Sequence, residues 1–173
     1  MNTSATTNDL RKMSSAGLEQ LGQDSLRDHL LAQAVVAHQK HGPLTFDKLD
    51  ALLHDPDCLR YPVRLVYEFG EMAMHQFAQP DLDHRNTVQG GRVLYLRPIL
   101  RDRPDLILLA VAYMIPLINY GDIITDDHCL RYGAALLGMM EDEFYHEICA
   151  LADFVGAERR LPGENTSCGG GCP

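Results

Sequence analysis

A continuous apolar segment, residues 106–118, constrains the fold more than any other feature of this sequence. From residue 106 to 115 a helix would be apolar on every side, which indicates a helix buried at the centre of the protein. Pro104 suits the first turn of such a helix, whereas Pro116 is expected to kink or end it. The segment is shorter than the roughly 20 apolar residues of a membrane-spanning helix, so no membrane partner is predicted.

Periodic apolar positions predict further helices on both sides of this segment, over residues 24–41, 45–53, 62–78, 125–137 and 139–155. Residues 62–78 also alternate apolar and polar side chains at their start, which would suit a strand; the length of the periodic pattern favours a helix. Gly90 and Gly91 separate two short β-prone stretches. The predicted fold class is therefore mainly α, a single-domain bundle of five or six helices, with room for one small β-hairpin near residues 86–97.

The composition predicts one folded body between two tails. A chain of 173 residues, 46% of them hydrophobic, can bury one substantial core. Residues 1–23 are rich in small polar side chains and are predicted to be a mobile arm. The helical domain is expected over residues 24–156, and residues 157–173 are expected to be a flexible tail that carries Cys-Gly-Gly-Gly-Cys.

The charge balance excludes some partners. A net charge of −9 argues against nucleic acid, which attracts lysine and arginine. The N-terminus lacks the basic-then-apolar order of a signal peptide, so a cytoplasmic location is expected. No nucleotide cofactor is predicted, because no glycine-rich phosphate loop follows a predicted strand.

Carboxylates and a histidine recur at helical spacing in the predicted helix 62–78. Glu68, Glu71 and His75 would fall within about 60° of one helix face. Such side chains can bind iron, manganese or zinc. The alternative is a solvated face of ion pairs, because Arg64 lies four residues before Glu68 and the whole arc is opposite the apolar stripe.

A second candidate group lies in the last predicted helix. Glu143 and His146 have the Glu-x-x-His spacing of carboxylate-bridged dimetal bundles, and Glu147 borders the apolar stripe. A second such motif and much longer helices would be needed for a dimetal oxidase. The alternative is an exposed acidic face that favours the helix dipole.

Two further candidate sites come from a loop and from the end of the chain. Asp122 and His128 flank the start of a helix that follows the buried segment, where scaffolds often hold ligands. Cys168 and Cys172 could close around a soft metal, although two sulfurs need a further ligand or a second chain to complete a tetrahedral zinc site. The alternative for this pair is an inert terminus. The other three cysteines are expected to be small buried hydrophobes: Cys58, Cys129 and Cys149.

These patterns predict a soluble helical metal-binding accessory protein. Its body would hold a divalent ion (iron, zinc, manganese or copper) on histidine and carboxylate ligands, and the dithiol tail would capture or transfer a soft metal. A helical protein-interaction module without chemistry and a carboxylate/histidine metalloenzyme are the alternatives. A protein partner or a homo-oligomer is expected.

Overall fold

The computed structural model describes residues 14–81 and 91–158. Within these ranges the protein is mainly α-helical with a small sheet, as predicted. The described residues form five α-helices: α1 (Ser15–His41), α2 (Phe46–Leu53), α3 (Pro104–Tyr120), α4 (Asp126–Leu137) and α5 (Glu141–Ala157). Three strands accompany them: β1 (Val63–Tyr67), β2 (Ala78–Pro80) and β3 (Arg92–Leu96).

Helix α3 is the centre of the core, as its apolar sequence predicts. It contacts α2, α4, α5 and β2, and most of its side chains are buried. Pro116 does not end it, which corrects the expectation of a break; the helix continues to Tyr120 and stops at Gly121, where φ is 63°. By length and composition the segment Pro104–Ile123 could cross a membrane, but 56% of its most apolar window is buried inside the protein, as in the core helix of a soluble protein.

Helices α4 and α5 begin and end close to their predicted positions. The Thr125 hydroxyl accepts the backbone N–H of His128 at the start of α4, and the His128 ring accepts the Thr125 N–H in return. Gly138 ends α4 in the left-handed conformation, with φ 68°. The close approach of the two helices depends on Gly133, whose missing side chain leaves room for the buried ring of Phe144.

The predicted helix over residues 62–78 is wrong. Its first part is β1, which pairs in parallel with β3 from Val63↔Arg92 to Tyr67↔Leu96. Gly70 then has φ 52°, a left-handed conformation that a right-handed helix cannot include. The segment returns as β2, which pairs antiparallel with β3, so the sheet order is β1-β3-β2.

The predicted hairpin is confirmed only in its second strand. Residues 93–96 lie in β3, but the antiparallel neighbour of β3 is β2 at Ala78–Pro80 rather than a strand next to Gly90 and Gly91. The stretch Thr87-Val88, which was expected to supply that strand, lies outside the described residues.

The first helix is longer than predicted. It begins at Ser15, not at residue 24, so residues 15–23 are helical rather than part of a mobile arm. Ser14 caps it, because its side-chain oxygen accepts the backbone N–H of Gly17 at 3.2 Å. Residues 1–13 and 159–173, which include most of both predicted tails, lie outside the described part of the chain.

Candidate metal centre

The structure separates the three ligands predicted from helix 62–78. Glu68 follows β1, and Glu71 and His75 lie in the loop between β1 and β2; all three are exposed. Their spacing of three and seven residues would bring them together only on a helix, and this segment begins as a strand and is not helical. They form no three-ligand cluster in residues 14–81 and 91–158.

The second predicted group lies on the solvent face of α5. Glu143, His146 and Glu147 are all exposed, while Phe144 and Ile148 face the core. The His146 ring donates from Nδ1 to the backbone carbonyl of Asp142 at 2.6 Å. This arrangement agrees with the alternative interpretation, an acidic face near a helix start.

The two loop candidates lie in different environments. Asp122 is exposed in a short 3₁₀ turn, Gly121–Ile123. His128 is buried, with 4% of its surface exposed, and its Nδ1 is used in the cap with Thr125. Its position is therefore explained by the start of α4. Cys168 and Cys172 lie outside the described residues.

A different set of side chains meets at the junction of α1 and α2. One ligand atom from each of His41, Asp55 and Cys58 lies within 4.8 Å of the other two. His41 Nε2 donates to Asp55 Oδ2 at 2.8 Å, and the Cys58 thiol donates to the same oxygen at 3.5 Å. Asp55 and Cys58 are buried and His41 is partly buried. Nitrogen, oxygen and sulfur donors thus converge on one point.

Local backbone geometry brings these residues together. His41 is the last residue of α1, and Gly42 reverses the chain with φ 67°. Helix α2 then runs back for eight residues, so that the turn after it returns to His41. In that turn the Asp55 carbonyl accepts the N–H groups of Cys58 and Leu59 at 3.0 and 2.9 Å. The two helix ends therefore fix the position of all three donors.

The core helix also holds this turn. Asn119, near the end of α3, is 6% exposed and donates from its amide nitrogen to the Cys58 carbonyl at 3.2 Å. Its amide oxygen accepts the Arg60 N–H at 3.0 Å. Both groups of the side chain are therefore satisfied by the backbone on either side of Leu59, which ties the Cys58 backbone to the most buried element of the protein.

Two further charges surround the cluster. Lys40 Nζ lies 2.8 Å from Asp55 Oδ2 and 2.8 Å from Asp57 Oδ2. The Asp57 backbone N–H donates to Asp55 Oδ1 at 3.0 Å. The Asp55 carboxylate thus accepts hydrogen bonds from Lys40, His41, Cys58 and the Asp57 backbone, which is why this charge can be buried.

The charge states follow from these contacts. Burial alone would raise the pKa of Asp55, but the hydrogen bonds from Lys40, Asp57, His41 and Cys58 together hold that pKa well below its usual range. Burial, with the adjacent Asp55 charge, raises the pKa of Cys58 to about 12. Cys58 is therefore a neutral thiol at neutral pH and a poor nucleophile. A bound metal cation is one agent that can convert it to a thiolate, since a coordinating thiol loses its proton.

The distance between Cys58 and Asp55 suits a tetrahedral ion of the zinc type. With Zn–S near 2.3 Å and Zn–O near 2.0 Å, tetrahedral sulfur and oxygen ligands lie about 3.5 Å apart. Cys58 Sγ and Asp55 Oδ2 are 3.5 Å apart. The corresponding nitrogen–oxygen separation is about 3.3 Å, so His41 and Asp55, hydrogen bonded at 2.8 Å, would need to separate by about half an ångström. A side-chain rotation accommodates such a change.

The comparisons with known proteins give no assignment. The chain matches no protein-family model, and neither curated protein sequences nor solved structures yield a match.

No periodic pattern in the sequence indicates this group of donors. The helices predicted over residues 24–41 and 45–53 do end where the structure ends them, at His41 and Leu53. Cys58 is buried as expected, with 3% exposed, as is Cys129, whereas Cys149 is exposed. The available signal was Asp-x-x-Cys directly after a short helix, with a histidine at the end of the preceding helix.

Proposed function

We propose that this protein is a metal-binding accessory protein whose body site is His41, Asp55 and Cys58, and that the ion is Zn²⁺ or a divalent ion of similar preference. The single observation that carries this proposal is the convergence of three different donor atoms within 4.8 Å of one another. Imidazole nitrogen, thiolate sulfur and carboxylate oxygen are the three ligand types that zinc takes in proteins.

The proposed site replaces the carboxylate/histidine groups expected from helical spacing. Three protein ligands leave a fourth position for water or for a further side chain. The Cys168/Cys172 pair of the tail is a source of soft ligands for that position. When the ion binds, the proton of the Cys58 thiol leaves to solvent and the thiolate coordinates, while the hydrogen of neutral His41 moves by exchange with solvent from Nε2 to Nδ1, which frees Nε2 as a ligand.

The test is metal binding by the tag-free, full-length protein. We expect Zn²⁺ and Co²⁺ to bind with one ion per chain in the body, and the Co²⁺ complex to show the intense near-ultraviolet band of a thiolate–cobalt bond. Asp55→Asn and Cys58→Ser should each reduce the affinity at least tenfold. Cys149→Ser and His146→Gln are matched controls, because each removes an exposed donor of the same type that is on α5 and is not part of the triad; both should leave the affinity unchanged.

The same titration separates the body from the tail. Deletion of residues 164–173 should leave the body ion in place and should remove only additional soft-metal binding. Loss of all stoichiometric metal on that deletion would assign binding to Cys168 and Cys172 instead. A wild-type protein that binds neither Zn²⁺ nor Co²⁺ in reducing buffer, together with equally inert variants, would exclude the proposed function.

A helical interaction module is the second candidate, and one observation favours it. Helix α1 carries four exposed large apolar side chains, and at about 100° per residue they lie on the side opposite its buried residues: Leu18, Leu21, Val35 and Val36. Under this proposal a partner or a second copy of the chain covers that face. Light scattering in excess chelator tests it, because an interaction module should retain its assembly without metal; Val36→Asp should then dissociate the assembly.

A further inference from the structure

The proposed metal site contains a cation of its own. The Lys40 ammonium contacts both oxygens of Asp55, Oδ1 at 2.9 Å and Oδ2 at 2.8 Å, and Oδ2 is the oxygen on which His41 and Cys58 also converge. An ammonium and a divalent ion cannot both lie against that oxygen without strong mutual repulsion. A metal that uses Asp55 Oδ2 must therefore displace Lys40 from it.

Asp57 provides the position to which Lys40 can move. Its Oδ2 is already 2.8 Å from Lys40 Nζ. The Asp57 side chain is 70% exposed and that of Lys40 is 45% exposed, so neither is held by packing. The lysine stem is flexible and its charge is compact, so the ammonium can leave one carboxylate while it keeps the other.

We propose that Lys40 is an internal competitor for the metal: its ammonium holds the cation position on Asp55 in the metal-free site and transfers to Asp57 when the ion binds. This inference rests on the proposed function and concerns how the site is regulated. The consequence is an affinity set below that of the bare ligand triad, which suits a protein that must release its ion to a recipient.

The charges balance in both states. Without metal, the buried Asp55 carboxylate faces the ammonium, and Cys58 is a neutral thiol. With metal, Asp55 and the Cys58 thiolate together neutralise a divalent ion, and Lys40 pairs with Asp57. No charge is left buried without a partner in either state, so the exchange needs no rearrangement of the surrounding helices.

A matched control for Lys40 lies at the same junction of α1 and α2. Lys48 Nζ donates to the backbone carbonyls of His41 and Pro43 at 3.0 and 3.3 Å. It is an equal charge close to the site, but its contacts are with carbonyls and not with Asp55. A general electrostatic effect would respond to both lysines, whereas a competitor for Asp55 responds only to Lys40.

The experiment measures Zn²⁺ affinity of the full chain by competition with a chromophoric chelator. Lys40→Gln should tighten Zn²⁺ binding at least tenfold, and Lys48→Gln should change it less than threefold. Asp57→Asn should weaken binding severalfold in the wild-type background, because Lys40 loses its second acceptor. In the Lys40→Gln background the same substitution should have no effect, which a double-mutant cycle detects.

Each outcome decides between the two proposals. Equal Zn²⁺ affinity in wild type and in Lys40→Gln overturns the competitor and leaves the proposed function intact. Equal tightening by Lys40→Gln and Lys48→Gln also overturns it. Binding by Lys40→Gln where wild type binds nothing would support the competitor in its strongest form, and absence of binding by both proteins overturns both proposals.

A measurement on the wild-type protein guards against a variant that fails to fold. Amine acylation, resolved by peptide mass spectrometry, should modify Lys40 severalfold faster with Zn²⁺ than in chelator, since the ammonium then has one partner instead of two. Lys48 serves as the internal reference and should react at the same rate in both conditions. Unchanged Lys40 reactivity under saturating Zn²⁺ contradicts the transfer.

Discussion

Asp55 links the end of α1 to the turn that follows α2. Its carboxylate is 6% exposed and accepts from Lys40 and His41 of α1 and from Cys58 of its own turn. Because its pKa is held well below the usual range, it is ionised throughout the neutral region. Hydrogen bonds to a charged group contribute more than neutral ones, so this residue should stabilise the α1–α2 junction with or without metal.

Asp55→Asn should lower the free energy of unfolding at pH 7 by about 1.5–3 kcal/mol. A carboxylate with a lowered pKa stabilises the fold above its unfolded pKa of about 3.9 and loses that contribution as the pH falls. The difference between wild type and variant should therefore narrow below about pH 4. Urea denaturation in excess chelator at several pH values measures it. Asp57→Asn is the control, with an expected effect under about 1 kcal/mol; an Asp55→Asn protein as stable as wild type would contradict the argument.

The site shows why sequence spacing alone is insufficient at this scale. His41 and Asp55 share no helical or strand period, and they meet because α2 has the length that returns the chain to the end of α1. Glu68, Glu71 and His75 do share a helical period. The segment that contains them begins with β1, however, and β1 pairs with β3, about 30 residues further along the chain. Local pattern predicts local structure; a ligand set made by two loops depends on packing that no local window contains.

At the scale of elements, prediction was accurate where the sequence marks its own boundaries. Thr125 and Gly138 bound α4 as expected, because capping and left-handed conformations are chosen by residue type. The strand β1 was not predicted because its short apolar stretch suits both the helical and the strand period. Its pairing with β3 decides in favour of the strand. The loop that follows β1 is held by Arg97, a fully buried residue. No local sequence pattern indicates that Arg97 holds this loop.

Two glycines test how α4 packs on α5. Gly133→Ala should lower the free energy of unfolding by about 1–3 kcal/mol, because the new methyl group meets the buried ring of Phe144, which has no free space. Gly156→Ala is the matched control on α5, where a methyl group meets no atom within 4 Å. It should raise stability by up to about 1 kcal/mol through helix propensity. Thermal denaturation of both variants measures the contrast, and destabilisation by Gly156→Ala would contradict it.

Arg97 should control the order of the loop between β1 and β2. Its guanidinium donates to the backbone carbonyls of Gln76, Ala73 and Met74 and is 1% exposed. Arg97→Lys keeps the charge, but a single ammonium cannot reach three carbonyls in the fork geometry of arginine. Amide hydrogen exchange over residues 68–77 should therefore accelerate at least tenfold in the variant, while α4 and α5 exchange as before. Unchanged exchange in that loop would show that Arg97 does not hold it.

At the scale of the whole molecule, the described residues divide into a packed body and a helix that extends from it. All the buried residues of α1 lie in its second half: Leu30, Ala34 and Ala37. At 1.5 Å per residue, the 27 residues of α1 span about 40 Å, of which the first part has little support from the body. The mainly α architecture was predictable from composition and periodicity, but the extent of this helix was not, because its polar first half resembles a disordered segment.

Substitutions at two leucines of α1 test where along this helix the packing against the body ends. Leu30→Ala removes a side chain that is 1% exposed and should cost about 2–5 kcal/mol. Leu21→Ala makes the same chemical change at a position that is 40% exposed and should cost no more than about 0.5 kcal/mol in the monomer. Chemical denaturation at low protein concentration measures both. A large cost at Leu21 would mean that this face is covered in solution.

The order of strands in the sheet determines when the sheet can form during synthesis. β3 lies between β1 and β2 but follows both in the chain, so a nascent polypeptide that has emerged only as far as residue 91 holds two strands without their shared neighbour. Domains mature from the N-terminus as the ribosome elongates, and non-local pairing must wait for the missing segment. When β3 emerges, α3 follows it within about ten residues. The sheet and the central helix are therefore expected to form together, in one late step of translation.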